Sequence, residues 1–232
     1  MYVRQLFDHG TSTYSYLLAD RETGEALLLD PVLEQAERDA ELIRELGLRL
    51  LYTVETHVHA DHVTGAAALQ ERFGSIIAAP AAAAACADMR IAEGDSIRFG
   101  RHALRALSTP GHTDACMSYV GEGRVFTGDT LLIRGCGRTD FQSGDAGRLW
   151  DSLQMLFRLP PETTVHPAHD YRGLTISTIG EELQFNPRIA GRSRAAFVEL
   201  MTSLHLPMPS RIDVAVPANL QCGREHLASV QG

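Results

Sequence analysis

Three histidines and one aspartate lie within the seven residues Thr56–His62, which read T-H-V-H-A-D-H. Imidazole nitrogen and carboxylate oxygen suit zinc, iron or manganese, so donors at this density predict a metal site. In an extended or loop backbone His57 and His59 point the same way, because side-chain direction repeats every two residues. The alternative is a polar loop whose histidines face water.

The elements that must position these donors are short strands. An apolar run precedes the motif and predicts a buried strand over Leu48–Glu55. Three more strand-like runs end in polar residues, namely His112, Asp129 and His169. Taken singly, each of these would be an ordinary turn or capping residue. Because open α/β sheets gather ligand sites beyond the carboxyl ends of their strands, the four strand ends together predict one shared site.

These motifs resemble, over residues 13 to 170, the ordered ligand motifs of the metallo-β-lactamase fold superfamily. The resemblance implies an α/β (α+β) protein, a four-layer αββα sandwich that holds metals at one edge between its two sheets. It also implies a core over residues 1–170, with C-terminal helices and a tail over 171–232 packed on the same domain. The pattern fills all seven ligand positions: His57, His59, Asp61, His62, His112, Asp129 and His169.

Two further strings, around Arg138 and Tyr171, are similar to those of the persulfide dioxygenases, also called sulfur dioxygenases. Pro217–Gly223 is similar to the C-terminal loop of that family. The resemblance implies oxidation of glutathione persulfide by O2 and water to sulfite and glutathione, with one Fe(II) per chain. The implied iron ligands are His57, His112 and Asp129.

The other four ligand-type residues keep a different reaction open. We interpret His59, Asp61, His62 and His169 as surroundings that orient the ligands, or as a vestigial second metal site. A complete second site would instead give a dinuclear metal hydrolase of a glutathione thioester, similar to glyoxalase II. A third hypothesis is a metal-binding partner protein without catalytic activity.

Arg138 and Tyr171 are the predicted catalytic and substrate-binding residues. Arginine fixes anions by charge-assisted hydrogen bonds, and a tyrosine hydroxyl donates to bound oxygen or sulfur. The alternative pairs Arg138 with Asp140 at the surface and packs Tyr171 in the core. Arg172 and Arg188 are further candidates for binding the carboxylates of glutathione.

The cysteines Cys86, Cys116, Cys136 and Cys222 lie far apart and form no C-x-x-C pair. We therefore expect no disulfide framework. We interpret Cys136 and Cys222 as buried structural residues; the alternative is a nucleophilic cysteine. Free thiols persist in a reducing cytoplasm, where we expect this protein to be located.

Composition limits the partners. A net charge of −8 argues against nucleic acid. Neither a membrane span nor an apolar signal region at Met1–Gly10 is evident, so we expect no membrane partner. With 44% hydrophobic and 22% charged residues the chain fits one soluble domain. The resemblance implies glutathione persulfide and O2 as partners and allows a homodimer.

Helices are predicted where apolar residues recur with helical spacing. The predicted ranges are Glu34–Leu46, Ala66–Arg72, Leu149–Arg158, Thr175–Gln184 and Arg194–His205. The alanine-rich run Ala81–Ala87 predicts another short helix, because alanine has the highest helix propensity. From Pro207 onward the prolines predict an irregular tail.

Overall fold

A computed structural model of the protein describes residues 1–83 and 85–224. The first of its two six-stranded sheets is built, in spatial order, from β1 (Tyr2–Asp8), β2 (Thr13–Ala19), β3 (Glu25–Leu29), β4 (Arg49–Val54), β5 (Ile76–Pro80) and β6 (Met89–Ile91). The second contains β7 (Ser96–Phe99), β8 (His102–Ser108), β9 (Met117–Gly121), β10 (Arg124–Gly128), β11 (Thr164–Pro167) and β12 (Ser177–Thr178). The helices are α1 (Ala36–Glu45), α2 (Ala66–Phe73), α3 (Ala146–Leu156), α4 (Ile179–Phe185), α5 (Arg194–Thr202) and α6 (Ile212–Leu220).

Each sheet combines antiparallel hairpins with parallel crossovers. In the first sheet β1 to β3 are antiparallel, and β3 to β6 are parallel. Helix α1 connects β3 to β4 and α2 connects β4 to β5, as parallel pairs require. In the second sheet β7 to β10 are antiparallel, and β10 pairs in parallel with β11 after the crossover through α3.

Strand β2 shows how the layers form, because both of its faces are buried. Successive side chains on a strand point to opposite faces. Tyr14, Tyr16 and Leu18 pack into the core between the two sheets, while Leu17 and Ala19 pack toward α1 and α2. Buried strands of this kind read as nearly continuous apolar runs.

The second sheet is covered in the same way on its outer face. Val125 and Val165 of β10 and β11 pack with Leu153 of α3 and with Phe197 and Met201 of α5. Helices, sheet, sheet and helices thus form the predicted four-layer αββα sandwich, and the predicted fold class is confirmed. The division of the chain at residue 170 stays a prediction.

Two local predictions are wrong. In the alanine-rich run, residues 81–83 and 85–86 form turns and no helix. A helix this short is unstable without packing, so alanine propensity alone does not form one. The tail contains α6 although Pro217 lies inside it. Proline normally interrupts a helix, but Ala215 and Ala218 of α6 pack against Val63 beside the metal motif.

Among the described residues, no helix combines the length and the apolar character that a membrane crossing requires.

His166 on β11 is a buried histidine that lies outside the metal motif. Its ring stacks on Phe126 at 4.9 Å and meets Tyr16 edge-on at 5.4 Å. Burial, and to a lesser extent the charge of Arg124, lowers the pKa of His166 from 6.5 to about 4. The folded protein therefore keeps this imidazole neutral at a pH where the unfolded chain would protonate it.

We expect His166→Phe to flatten the acid dependence of stability. Because the folded-state pKa is depressed, the unfolded chain binds more protons between pH 6.5 and about 4. His166 then lowers the free energy of unfolding by up to ~1.4 kcal/mol for each unit that the pH falls. Urea unfolding at a series of pH values measures this slope. An equal slope in the variant and the parent protein would contradict the assignment.

Candidate metal centre

The predicted ligands meet at the carboxyl ends of four strands. In the second sheet β8, β10 and β11 run in one direction and lead into His112, Asp129 and His169. Strand β4 of the first sheet leads into His57. One ligand atom from each of His57, His112 and Asp129 lies within 4.8 Å of the others. The structure thus brings together the three residues that the resemblance implies as iron ligands.

The tautomer of His57 is set by Thr56. The Thr56 hydroxyl donates its only proton to Asp30 Oδ2 over 2.9 Å. Its oxygen, 2.9 Å from His57 Nδ1, must therefore accept the Nδ1 proton. Burial, with the neighbouring histidines, holds the pKa of His57 well below its usual value. The ring is neutral and presents an unprotonated Nε2, the form that binds a metal.

His112 is oriented by a backbone group. The carbonyl of Arg138 accepts the Nδ1 proton of His112 over 2.8 Å, which leaves Nε2 3.5 Å from Asp129 Oδ2. Gly137 permits this close approach, because a Cβ there would overlap the Asp129 carbonyl and lie 2.8 Å from His112 Cγ. The G-C-G-R string therefore supports the centre through its backbone.

The carboxylate of Asp129 fits a cation. Its Oδ1 is buried and has no hydrogen-bond partner among the described residues. His169 Nε2 lies 3.7 Å away, beyond hydrogen-bond distance. A buried, unpartnered carboxylate oxygen is strongly unfavourable unless positive charge compensates it. Together with two imidazole nitrogens, this oxygen makes the site suitable for a divalent metal ion.

The ring of His59 lies beside that of His57, with 4.1 Å between the centroids, but its Nε2 faces two other carboxylates. Its Nε2 lies 3.2 Å from Asp30 Oδ1 and 3.3 Å from Glu55 Oε2. Burial alone would lower the pKa of His59, but these two carboxylates outweigh burial and raise it well above its usual value. Sequence reasoning missed Asp30, although a signal was present. Asp30 ends the apolar run of β3 as Asp129 ends that of β10.

Asp61 is occupied by hydrogen bonds as well. Its Oδ2 pairs with Nδ1 of His62 at 2.8 Å and accepts from the Thr13 hydroxyl at 3.1 Å. His169 Nε2 lies 3.7 Å from the same oxygen. Ligand atoms of His59, Asp61 and His62 also fall within 4.8 Å of one another, so these residues form a second metal-capable group. Unlike Asp129 Oδ1, Asp61 Oδ2 already has partners.

A cavity of about 620 Å³ opens onto the centre and is lined by three of the four predicted substrate-binding residues, Arg138, Tyr171 and Arg188. One part of its wall is formed by the predicted metal ligands and their neighbours, His57, Asp61, His112, Asp129 and His169. The opposite wall comes from the segment after α5, namely Leu206, Pro207, Met208, Pro209, Ser210 and Arg211. The volume suits a small peptide-sized ligand.

The guanidinium group of Arg138 already has several partners. It donates two hydrogen bonds of 2.6 Å to Asp140, so the ion pair considered as an alternative is present. It also donates to the carbonyls of Leu206 and Pro207 and lies 4.9 Å from the centroid of the Phe141 ring. Arg138 thus holds the C-terminal wall of the cavity in place.

The other arginines divide into two groups. Arg188 lines the cavity and donates to the carbonyl of Cys136 over 2.8 Å. Arg172 donates to the carbonyl of Ile133 and does not line the cavity, so its placement gives no support to a role in substrate binding. Arg211 also lines the cavity and pairs with Glu34 over 2.6 Å.

Tyr171 lies at the mouth of the cavity. Its side chain is 73% exposed, and its ring is nearly parallel to that of His169 at 6.0 Å. The alternative that placed it in the packed core is therefore wrong. Partial burial, and then the charges of Asp129 and Asp61, raise the pKa of its hydroxyl above the usual value. The hydroxyl stays protonated at neutral pH and can donate a hydrogen bond to an anion.

The prediction of no disulfide is wrong, because Cys86 and Cys222 are bonded, with 5.9 Å between their Cα atoms. They are 136 residues apart, so only the folded chain brings them together. Cys116 and Cys136 are free and buried. Burial raises the pKa of these thiols to about 12 and about 11 respectively, so neither is an activated nucleophile.

Comparison with known proteins agrees with this architecture. Residues 10–169 match the family model described as the metallo-beta-lactamase superfamily. Among solved structures, that of ETHE1 from Myxococcus xanthus superimposes with a TM-score of 0.95 and 51% identity, covering 96% of this chain and all of that one. The fold and the class of metal site are therefore those of this superfamily.

Among curated proteins, the mitochondrial persulfide dioxygenase ETHE1 of Mus musculus is 52% identical over 95% of this chain and 88% of that protein. A hydroxyacylglutathione hydrolase of Rhizobium johnstonii is 37% identical over 82% of this chain and 74% of that protein. This chain belongs to the metallo-β-lactamase superfamily and, within it, to the persulfide dioxygenase family.

We expect Thr56→Val to weaken metal binding about 10-fold or more, as loss of an outer hydrogen bond to a ligating histidine typically does. Valine keeps the shape but leaves His57 Nδ1 without an acceptor and Asp30 without one donor. Thr56→Ser keeps the hydroxyl and is the matched control. Competition with a chromogenic chelator measures the affinities. Equal affinity in the valine variant would show that Thr56 does not set the tautomer.

Proposed function

We propose that this protein is a glutathione persulfide dioxygenase that uses a single Fe(II) ion per chain. It would oxidise glutathione persulfide with O2 and water to sulfite and glutathione. The observation that carries the proposal is the group His57, His112 and Asp129, whose ligand atoms lie within 4.8 Å of one another. The identity of 52% to a persulfide dioxygenase over 95% of the chain supports the same reaction.

The donor set favours iron. Two imidazoles and one carboxylate on one face of a metal leave its other positions open, which is the arrangement of non-heme Fe(II) oxygenases. When bound, iron would supply open coordination positions and redox chemistry with sulfur and oxygen. The single carboxylate of Asp129 would leave a divalent ion with a net positive charge, which would attract an anionic persulfide.

The hydrogen bonds of Asp61 favour one metal over two. A second ion would have to use His59 Nδ1, which is buried and unpartnered among the described residues, because His59 Nε2 faces two carboxylates. Asp61 Oδ2 already accepts from Thr13 and pairs with His62. We therefore retain these residues as supports of the metal motif. His169 Nε2 lies 3.7 Å from a carboxylate oxygen of Asp61 and 3.7 Å from one of Asp129, and its ring stacks on that of Tyr171.

The charges of the cavity suit glutathione persulfide, which carries two carboxylates and an ionisable terminal sulfur. Arg188 and Arg211 line the cavity and provide positive charge on a protein whose net charge is −8. Tyr171 offers a protonated hydroxyl at the mouth. We propose that these side chains hold the anionic ends of the substrate and thereby direct its sulfur toward the metal.

The decisive experiment combines metal analysis with oxygen uptake on one sample purified anaerobically. We expect about one iron per chain, with oxygen consumption and sulfite formation when glutathione persulfide is added. Two tightly bound metals, hydrolysis of a glutathione thioester and no oxygen uptake would replace this proposal with the hydrolase. A metal-loaded protein that turns over neither substrate would favour the metal-binding partner.

We further expect Tyr171→Phe to keep iron but lose most of its turnover, because only the hydroxyl proton donor is removed. Asp129→Ala is the comparison variant, and it should lose iron together with activity because one of three ligands is gone. Iron content and initial rates of oxygen uptake are measured side by side. Full turnover in the phenylalanine variant would remove Tyr171 from the mechanism.

A cytoplasmic location and a homodimer remain proposals that rest on the sequence alone.

A further inference from the structure

The end of α6 is tied to the metal motif by one buried side chain. Asn219, 6% exposed, lies near the last residue of this helix. Its amide nitrogen donates to the carbonyls of His59 and His62 over 2.9 and 2.8 Å. Its amide oxygen accepts from the backbone N–H of Thr64 over 2.8 Å. Asn219 thus satisfies three backbone groups of the loop that carries His57.

Little else in α6 fixes this contact. The buried apolar residues of the helix that face the metal motif are the small side chains Ala215 and Ala218, which pack against Val63. A helix with so little apolar area against its neighbour gains little from burial. Its position therefore depends strongly on the chain beyond its C-terminus, where Cys222 lies three residues after Asn219.

The disulfide supplies that anchor. Cys222, 4% exposed, is bonded to Cys86 in the turn between β5 and β6. Cys222 and Asn219 also line a small cavity of about 10 Å³ whose other wall includes His57 and His59. One cavity, large enough for about one water molecule, separates the cross-link from the metal ligands.

The two bonded cysteines differ in burial. Cys86 is only partly buried and its neighbour Ala85 is exposed, whereas Cys222 is buried. A thiolate from solvent therefore reaches Cys86 Sγ more readily, forms a mixed disulfide there and expels the thiolate of Cys222. A second thiolate then releases Cys86 as a thiol. Across both steps, two small thiols become one disulfide, and the protein gains two electrons and two protons.

We propose that Cys86–Cys222 is a thiol–disulfide exchange site for low-molecular-weight thiols, and that its state sets how firmly Asn219 holds the metal motif. With the disulfide closed, α6 is anchored and the loop of His57 is ordered. Reduction releases the segment after α6, loosens the three hydrogen bonds of Asn219 and weakens metal retention. Under the proposed function, one such thiol is the reaction product.

The test measures iron release instead of turnover, so its failure would leave the proposed reaction untouched. Protein loaded anaerobically with Fe(II) is mixed with a chromogenic chelator, in the disulfide form and after reduction by a phosphine. Thiol titration of the denatured protein defines the two states: two free thiols, those of Cys116 and Cys136, when oxidised, and four when reduced. We expect reduction to accelerate release about 10-fold.

Variants distinguish an effect that the hydrogen bonds of Asn219 carry from a general loosening of the protein. Cys86→Ser should release iron at the fast rate with or without reductant. Asn219→Asp keeps the acceptor for Thr64 but loses both donors, so its disulfide form should already release iron quickly, with little further effect of reduction. Gln221→Ala, at an exposed position between Asn219 and Cys222, is the matched control and should behave as the parent protein does.

Three results would overturn the proposal. Four free thiols after equilibration with an oxidising glutathione buffer would show that the bond does not form. Equal release from the oxidised and reduced parent protein would show that the bond does not reach the metal. Equal acceleration by reduction in Asn219→Asp and in the parent protein would show that Asn219 does not carry the effect, because coupled groups are non-additive.

Discussion

The metal centre depends on one buried carboxylate, that of Asp30. This residue is 2% exposed and has a φ of 46°, which turns the chain sharply at the end of β3. It accepts the backbone N–H of Thr56 at 2.7 Å and the Thr56 hydroxyl at 2.9 Å, and it faces His59 Nε2 at 3.2 Å. A carboxylate this deep is stable only when several donors bond to it. Those donors all belong to the metal motif, so satisfying the carboxylate and positioning the motif are the same event.

This arrangement makes the seven ligand-type residues differ in the atoms that they offer to a metal. His57 and His112 direct their Nδ1 protons toward oxygen acceptors and so present Nε2 to the metal. His59 instead directs Nε2 toward two carboxylates and leaves Nδ1 without a partner among the described residues, and Asp61 already accepts hydrogen bonds. The chemical types of the side chains define the superfamily, whereas the hydrogen bonds behind them determine which atoms are available.

The sequence predicts the fold and the group of His57, His112 and Asp129 because each depends on a local signal, an apolar strand that ends in a ligand. The disulfide of Cys86 and Cys222 carries no such signal, since its partners lie 136 residues apart. The tail differs from its prediction for a similar reason. Proline spacing indicates an irregular chain, whereas tertiary contacts, which include the hydrogen bonds of Asn219 to the metal motif, hold a helix there. Tertiary structure overrides propensity in both directions, since the alanine run in the β5–β6 connection forms turns.

The cavity also changes which residues can select the substrate. The sequence predicts that Arg138 binds an anionic group of the substrate. In the structure, Asp140 and the carbonyls of Leu206 and Pro207 already accept the hydrogen bonds of its guanidinium group. Its role is then to shape the far wall. Arg188 is engaged mainly with the backbone of Cys136, and Arg211 makes an exposed ion pair with Glu34, which contributes little to stability. If a carboxylate of the ligand replaced Glu34 as the partner of Arg211, the loss of free energy would therefore be small. Arg211, the residue directly before α6, thus brings positive charge to the cavity.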